Sequence, residues 1–206
     1  MKKFLFSLVT LLISLLACSY NEPVTPAQGI VLSKINNIAI VPFKYSKTVD
    51  KTSVPGDFID SFNSELYSRL STGLNGVSVV GQSISTDALD SIKSEPGMKG
   101  FIPEFCNLTR CDAVLTGEIK YYGERVGGEY GVEDPASFAF VTKLHDGRTG
   151  NIIWEDYYYE KQKPLLENVA EVGKFFKRKG KWVSTQEIAF EGIDQLVIKL
   201  NDLLKR

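Results

Sequence analysis

Residues 37–43 of this 206-residue chain read Asn-Ile-Ala-Ile-Val-Pro-Phe, the most informative stretch for the fold. A nearly continuous apolar run of this length is typical of a short strand that is covered on both faces of a sheet. Pro42 ends the strand, because proline has no N–H group to donate to a neighbouring strand. The run therefore predicts a central strand that lies between two layers of the protein.

A helix and a second strand follow this first strand. Asp57 suits an N-cap and Gly73 suits a helix end, so we predict a helix between them. Apolar residues recur there at helical spacing, namely Phe58, Ile59, Phe62, Leu66 and Leu70. Residues 77–80 then predict a short strand. A strand, a helix and a strand in this order normally give two parallel strands with a right-handed crossover.

The remainder of the chain predicts two helices, three strands and a last helix. The helices cover residues 86–94 and 101–108, and the strands cover residues 113–122, 136–144 and 152–159. Residues 146–151 contain two glycines and suit a hairpin turn. Ser184 and Glu187 form a capping pair for the last helix. Amphipathic helices hide their apolar faces against a sheet, so we predict an α/β fold with a mixed β-sheet and helices packed against it.

The N-terminus has the pattern of a bacterial lipoprotein signal peptide. Lys2 and Lys3 precede an apolar run, residues 4–16, which is shorter than the about 20 residues of a membrane span. We expect residues 1–17 to be removed and Cys18 to carry acyl chains such as palmitate, which anchor the protein to a membrane. The alternative is an ordinary secretory signal, but Leu16 then stands where a small residue is needed.

The residues after the anchor cysteine predict the location of the protein. Ser19 stands where enteric bacteria place an acidic residue to retain a lipoprotein in the inner membrane. We therefore expect the outer membrane of a Gram-negative bacterium, with the protein on the periplasmic face. Residues 18–34 predict a flexible tether that reaches at most about 55 Å, and residues 35–206 predict a single α/β domain.

Composition and charge exclude several classes of protein. The formal net charge is −1, and loss of two lysines with the signal peptide makes it more negative. This acidity argues against nucleic acid as a partner. Hydrophobic residues make up 43% of the chain, which suffices for a core, and no later segment approaches about 20 uninterrupted apolar residues.

Few residues in the chain are suited to chemistry. Cys106 and Cys111 can close a disulfide in an oxidising compartment, and two separate buried thiols are the alternative. A zinc site usually takes four Cys or His ligands, and His145 is the single histidine, so we expect no metal and no cofactor. His145 stands beside Asp146, but no nucleophile motif accompanies the pair. We therefore predict a protein that is not an enzyme.

Two aromatic segments form the candidate interaction surface. Residues 121–131 predict a glycine- and tyrosine-rich lip between strands, and residues 174–182 interleave cations with large rings, which suits an acidic partner, glycan carboxylates or anionic lipid. A long strand connection and core rings beside solvated lysines are the respective alternatives. The candidate residues are Tyr121, Tyr122, Arg125, Tyr130, Phe175, Phe176, Lys177, Arg178, Lys179 and Trp182.

Three stretches resemble a group of envelope proteins. Residues 38–43, Ile-Ala-Ile-Val-Pro-Phe, resemble the opening strand shared by the TolB N-terminal domain, the curli-secretion lipoprotein CsgG and the penicillin-binding-protein activator LpoB. Residues 111–119, Cys-Asp-Ala-Val-Leu-Thr-Gly-Glu-Ile, are similar to a later strand of that group. The turn with Thr149, Gly150 and Trp154 is similar to its Thr-Gly-x-x-x-Trp hairpin.

This resemblance covers roughly residues 35–160 and implies an α/β sandwich like those domains. It also implies a lipid-anchored lipoprotein that acts by protein–protein interaction in envelope assembly or regulation. The implied partner is another envelope protein, with the peptidoglycan machinery as one candidate. The alternative is a homo-oligomeric secretion or transport accessory component of the CsgG type.

Overall fold

The computed structural model describes residues 35–92, 100–127, 132–162 and 183–205. The predicted signal peptide, Cys18 and the tether lie outside these ranges, as do Tyr130 and residues 174–182. The strands are β1 (Asn37–Ile40), β2 (Lys44–Tyr45), β3 (Ser78–Val79), β4 (Ala113–Gly123), β5 (Val126–Gly127), β6 (Val132–Asp134), β7 (Ser137–Asp146) and β8 (Ile152–Lys161). The α-helices are α1 (Phe58–Gly73), α2 (Gln82–Ser91), α3 (Phe101–Thr109) and α4 (Thr185–Leu203).

Six strands form one mixed sheet in the order β3-β1-β4-β7-β8, with β2 beside β4. The pairs of β1 with β3 and with β4 are parallel, and β4, β7 and β8 pair antiparallel in succession. β5 and β6 form a separate two-stranded sheet. The predicted α/β fold, a mixed sheet with helices packed against it, is confirmed, and β1, α1 and β3 form the predicted parallel unit.

Residues 37–45 divide into two short strands. β1 ends at Ile40, and β2 resumes at Lys44, which lies opposite Glu118 of β4. Pro42 causes the interruption, because it cannot donate a ladder hydrogen bond. The N–H of Val41 still donates to the carbonyl of Leu115, at 2.9 Å, so the chain stays against β4 across the break.

α1 and α4 pack on one face of the sheet, which we call the covered face. Its core contains a cluster of aromatic rings, in which each ring centroid lies within 6.1 Å of another ring centroid. The cluster consists of Phe43, Phe58, Phe62, Tyr122, Phe138, Phe140 and Tyr158. Gly192 lets α4 approach this cluster, since a Cβ there would lie 2.7 Å from the Tyr158 ring and 2.8 Å from the Phe140 ring. The predicted capping pair, Ser184 and Glu187, forms a capping box at the start of α4.

α2 and α3 pack on the other face, over β1 and the beginning of β4. They cover Ala39, Val41 and Val114 with Phe101, Phe105 and other apolar side chains. α2 begins at Gln82, four residues before the predicted start, because the chain enters the helix directly after β3, with Gly81 as the N-cap. None of the helices within the described ranges has the length and apolar content of a membrane span.

Candidate functional site

Among the described residues, the helices on the second face cover only β1 and the beginning of β4. We call the remaining surface of β4, β7 and β8 on this side the open face. Successive side chains of a strand point to opposite faces, so the burial of Tyr158 in the core places Tyr157 and Tyr159 on the open face. Their exposed fractions are 57% and 52%, and that of Tyr121 on β4 is 50%. Tyr121 and Tyr159 lie on either side of Ala139 in the register, so the open face carries three half-exposed tyrosines.

Tyr122 belongs to the core and not to the interaction surface, so this prediction is wrong. Its residue is 8% exposed, and its ring packs edge-on against Phe58, with the centroids 4.8 Å apart. The Tyr122 hydroxyl donates to the Glu124 carboxylate at 2.6 Å. Burial is the largest cause that raises the pKa of Tyr122, and the Glu124 carboxylate raises this pKa further. The reason is a register shift between Ile119 and Tyr121, which turns Tyr122 to the covered face.

The predicted lip is replaced over part of its length by strands. β4 continues to Gly123, and β5 pairs with β6 in the small sheet. Arg125 is half-buried beside β5, and its backbone N–H donates to the Glu124 carboxylate at 3.2 Å. Tyr130 and the candidate residues of the 174–182 segment lie outside the described residues, so their roles stay predictions.

A cleft of about 580 Å³ lies on the open face between α3 and the β7–β8 hairpin. Its walls are the first turn of α3, the hairpin turn at residues 149–152, and the chain at the end of β1, which includes Pro42. Its floor is formed by side chains of β4, β7 and β8. The hairpin turn packs close to α3, since a Cβ at Gly150, where φ is +75°, would lie 3.3 Å from Pro103.

The floor of the cleft carries charges of both signs. Lys120 pairs with Glu118, and the Lys143 ammonium lies 3.5 Å from the Glu155 carboxylate, directly across the β7–β8 ladder. Lys44 lies opposite Glu118 in the β2–β4 register and also lines the cleft. Opposite charges therefore alternate along the floor.

His145 fixes the hairpin to the floor of the cleft as a neutral ring. Its Nδ1 lies 3.2 Å from the Gly150 carbonyl oxygen, which can only accept, so Nδ1 carries the proton. In the neutral ring, Nε2 then accepts from the Thr116 hydroxyl at 3.0 Å. Burial lowers the pKa of His145, and this cause outweighs the opposite effect of the Gly150 carbonyl.

Asp146 does not orient His145 in the manner of a catalytic triad. Its carboxylate accepts from the backbone N–H and the hydroxyl of Thr149, both at 2.7 Å, and so holds the hairpin turn. These hydrogen bonds outweigh burial and lower the pKa of Asp146. Among the described residues there is no group of three or more His, Cys, Asp or Glu side chains that could hold a metal ion.

Cys106 and Cys111 form a disulfide in the structure, with their Cα atoms 4.9 Å apart. The bond joins the end of α3 to the segment that leads into β4. Arg110, between the two cysteines, has φ of +55°, a left-handed conformation that ends the helix. The Cys106 sulfur lies against Gly147 of the hairpin turn, where an added Cβ would collide with it. The disulfide therefore packs against the hairpin turn at the end of α3.

The sequence interpretation missed Tyr157, Tyr159, Lys143 and Glu155 as residues of the open face. A signal was present, because residues 152–161 form a strand whose alternate positions must face opposite sides of the sheet. The run Tyr157-Tyr158-Tyr159 could have been divided in this way into one buried and two exposed rings. What the sequence could not provide was which face the helices leave uncovered.

No protein-family model matches the chain, and no curated protein sequence matches it. Among solved structures, the hypothetical protein CT253 from Chlamydia trachomatis is similar at 12% identity with a TM-score of 0.52, over 83% of this chain and 98% of that one. The PelC dodecamer from Paraburkholderia phytofirmans is similar at 14% identity with a TM-score of 0.46, over 84% and 90% of the two chains. The LpoB C-terminal domain from Escherichia coli is similar at 12% identity with a TM-score of 0.42, over 69% and 90%. At these identities the similarity concerns the fold alone.

Proposed function

We propose that this protein is a lipid-anchored envelope lipoprotein that binds another envelope protein through its open face. It is placed on the periplasmic face of the outer membrane by Cys18, and it contributes to envelope assembly or regulation without catalysis. The lipoprotein pattern of the N-terminus supports the location. The three half-exposed tyrosines of the open face are the observation that carries the binding function.

Exposed tyrosines on one sheet face are suited to protein recognition for a physical reason. A tyrosine ring offers a large apolar area with few rotatable bonds, and its hydroxyl forms hydrogen bonds at the edge of the contact. Tyrosine is accordingly enriched among the residues that dominate binding energy at interfaces. Tyr121, Tyr157 and Tyr159 project from two strands that flank β7, so one partner surface can contact all three.

The test is crosslinking in living cells followed by identification of the captured protein. In the double variant Tyr157→Ser/Tyr159→Ser we expect the yield of the crosslinked partner to fall about tenfold, as expected for loss of at least one dominant contact. The matched control is Ile198→Ser, which removes an apolar side chain that is 60% exposed on α4, outside the open face. Equal partner yields from the double variant and the wild type would contradict the role of the open face.

Identification of the captured protein separates the two candidate functions. A different envelope protein supports the proposal, whereas capture of a second copy of this chain, together with a large complex in mild detergent, replaces it with the oligomeric alternative. Lys177, Arg178 and Lys179 form a second predicted contact. Their joint replacement by alanine reduces the yield further if that segment also contacts the partner, and leaves it unchanged otherwise.

The anchor has its own test, independent of the partner. In Cys18→Ala we expect the protein to leave the membrane fraction, because its acyl chains provide the proposed attachment. A Cys18→Ala protein that stays firmly in the membrane fraction would contradict lipid anchoring. It would leave the result for the tyrosines unaffected.

A further inference from the structure

The cleft on the open face has a charge arrangement that protein contact through the tyrosines does not use. Among the described residues that line it there are three lysines and two glutamates, and the single histidine is neutral. Lys120 is paired with Glu118, and Lys143 with Glu155. Lys44 lies opposite Glu118 across the parallel ladder. The floor of the cleft therefore carries both positive and negative side chains.

These ion pairs can exchange partners at little cost. The side chains of both pairs are between 37% and 52% exposed, and ion pairs of this exposure contribute only about 0–1 kcal/mol. A ligand charge that replaces one member of a pair therefore loses little of the existing stabilisation.

At the Lys143–Glu155 pair, a ligand with a single charge fits the floor poorly. An oxyanion near Lys143 would lie close to Glu155, and an ammonium near Glu155 would lie close to Lys143, since the two residues are directly opposite in the ladder. A ligand that carries both charges avoids each repulsion, because its oxyanion can face a lysine while its ammonium faces the neighbouring glutamate.

We propose that the cleft between α3 and the β7–β8 hairpin binds a small zwitterion, in which an ammonium and an oxyanion are joined by a short chain. The cleft volume of about 580 Å³ lies within the usual range for small-ligand sites. Pro42, Ile102, Val141 and Ile152 line the cleft and provide apolar surface for the connecting carbons. The neutral pair of His145 and Thr116 adds hydrogen-bonding atoms without adding charge.

Two sources supply this chemistry, the headgroup of an ethanolamine phospholipid and a free amino acid or short peptide. In the proposed location, the membrane lies within the about 55 Å reach of the predicted tether. The Asp112 carboxylate accepts from the backbone N–H groups of Asn36 and Asn37, at 2.8 and 2.9 Å, and its carbonyl accepts from Gly147 of the hairpin. The chain therefore enters the domain beside the hairpin that forms one wall of the cleft.

Calorimetric titration of the full chain in a non-ionic detergent tests the proposal. The probes are glycerophosphoethanolamine and the dipeptide Ala-Ala, which are zwitterions, and inorganic phosphate and ethanolamine, which carry one kind of charge each. We expect saturable binding of at least one zwitterion, about tenfold tighter than binding of either single-charge probe, as loss of one charged hydrogen bond predicts. Preference for glycerophosphoethanolamine identifies the lipid source, and preference for Ala-Ala identifies the peptide source.

Variants of the Lys143–Glu155 pair separate the site from a general charge effect. Lys143→Met/Glu155→Gln removes both charges and should weaken zwitterion binding about tenfold. Lys143→Glu/Glu155→Lys exchanges the charges and should retain binding, because both signs stay on the floor. The control is Asp202→Asn/Lys205→Met, which removes an exposed ion pair of the C-terminal region.

Three results would overturn the zwitterion site. They are absence of saturable binding of both zwitterions, binding of phosphate or ethanolamine as tight as that of the zwitterions, and unchanged binding in Lys143→Met/Glu155→Gln. None of these results bears on partner capture through the tyrosines, so the proposed function and this inference fail separately.

Discussion

The two faces of the sheet are built from the same strands but differ in how far helices cover them. On β8, Tyr158 packs against Phe140 in the core, while Tyr157 and Tyr159 stand half-exposed on the opposite side. On the covered face, α1 and α4 seal a cluster of aromatic rings. On the open face, α2 and α3 reach only as far as the beginning of β4, and the remaining strand surface carries tyrosines and charges.

Stability therefore depends mainly on the covered face, whereas the proposed binding depends on the open face. The aromatic rings of the covered face are buried, so their substitution leaves cavities. The side chains of the open face meet solvent, so their substitution changes the surface and little else. A variant on one face should therefore affect folding, and a variant of the same strand on the other face should affect binding.

The largest effect is expected from the covered face. Phe62 on α1 is fully buried and contacts the rings of Phe43, Phe58, Phe138 and Phe140. Phe62→Ala should lower the free energy of unfolding by about 3–5 kcal/mol, because it leaves a cavity in the cluster. Urea denaturation measures this loss. Tyr157→Ala is the control on the open face, with an expected loss of about 0.5 kcal/mol or less, and similar losses in both variants would break the comparison.

A smaller effect is expected from the disulfide at the end of α3, one of the two helices that cover the second face. Reduction of the Cys106–Cys111 bond, or Cys106→Ser/Cys111→Ser, should lower the free energy of unfolding by about 2 kcal/mol. The bond restricts the unfolded chain, and the effect is modest because the loop that it closes is short. Denaturation with and without reductant measures this. The double serine variant should not respond to reductant, and a wild-type protein that also fails to respond would show that the bond contributes nothing to stability.

The sequence was sufficient for the four helices and for the longer strands, but not for the short strands β2, β5 and β6. The apolar run at residues 38–41 and the helical spacing from Phe58 to Leu70 are local patterns, and both appear in the structure near their predicted bounds. The capping pair Ser184 and Glu187 is equally local. Such features depend on neighbouring residues, so a single sequence contains them.

The candidate site was harder to predict because it depends on contacts between distant parts of the chain. In the cleft, the first turn of α3 lies beside a hairpin turn that follows about 50 residues later in the chain. Neither segment contains a motif that predicts contact with the other. Tyr122 shows the same difficulty at one residue, since a register shift in β4 decides whether its ring enters the core. Strand alternation could have found Tyr157 and Tyr159, but only the position of α2 and α3 shows that their side is open.

The smallest expected effect concerns His145, which lies at the border between the hairpin and the cleft floor. Burial lowers its pKa below the ordinary value of 6.5, and the groups that face it are Thr116, the Gly150 carbonyl, Lys143 and Glu155. As the pH falls through 6.5, the unfolded chain binds a proton at His145 before the folded protein does, so the folded protein loses stability until the pH reaches the lowered pKa.

The variant His145→Gln has no titratable side chain at this position. Its free energy of unfolding should therefore fall less than that of the wild type between about pH 7.5 and about pH 5. The slope of the difference cannot exceed about 1.4 kcal/mol per pH unit for one proton. Urea denaturation of both proteins across this range measures the difference, and a difference that stays constant with pH would show that burial does not lower the pKa of His145 in the folded protein.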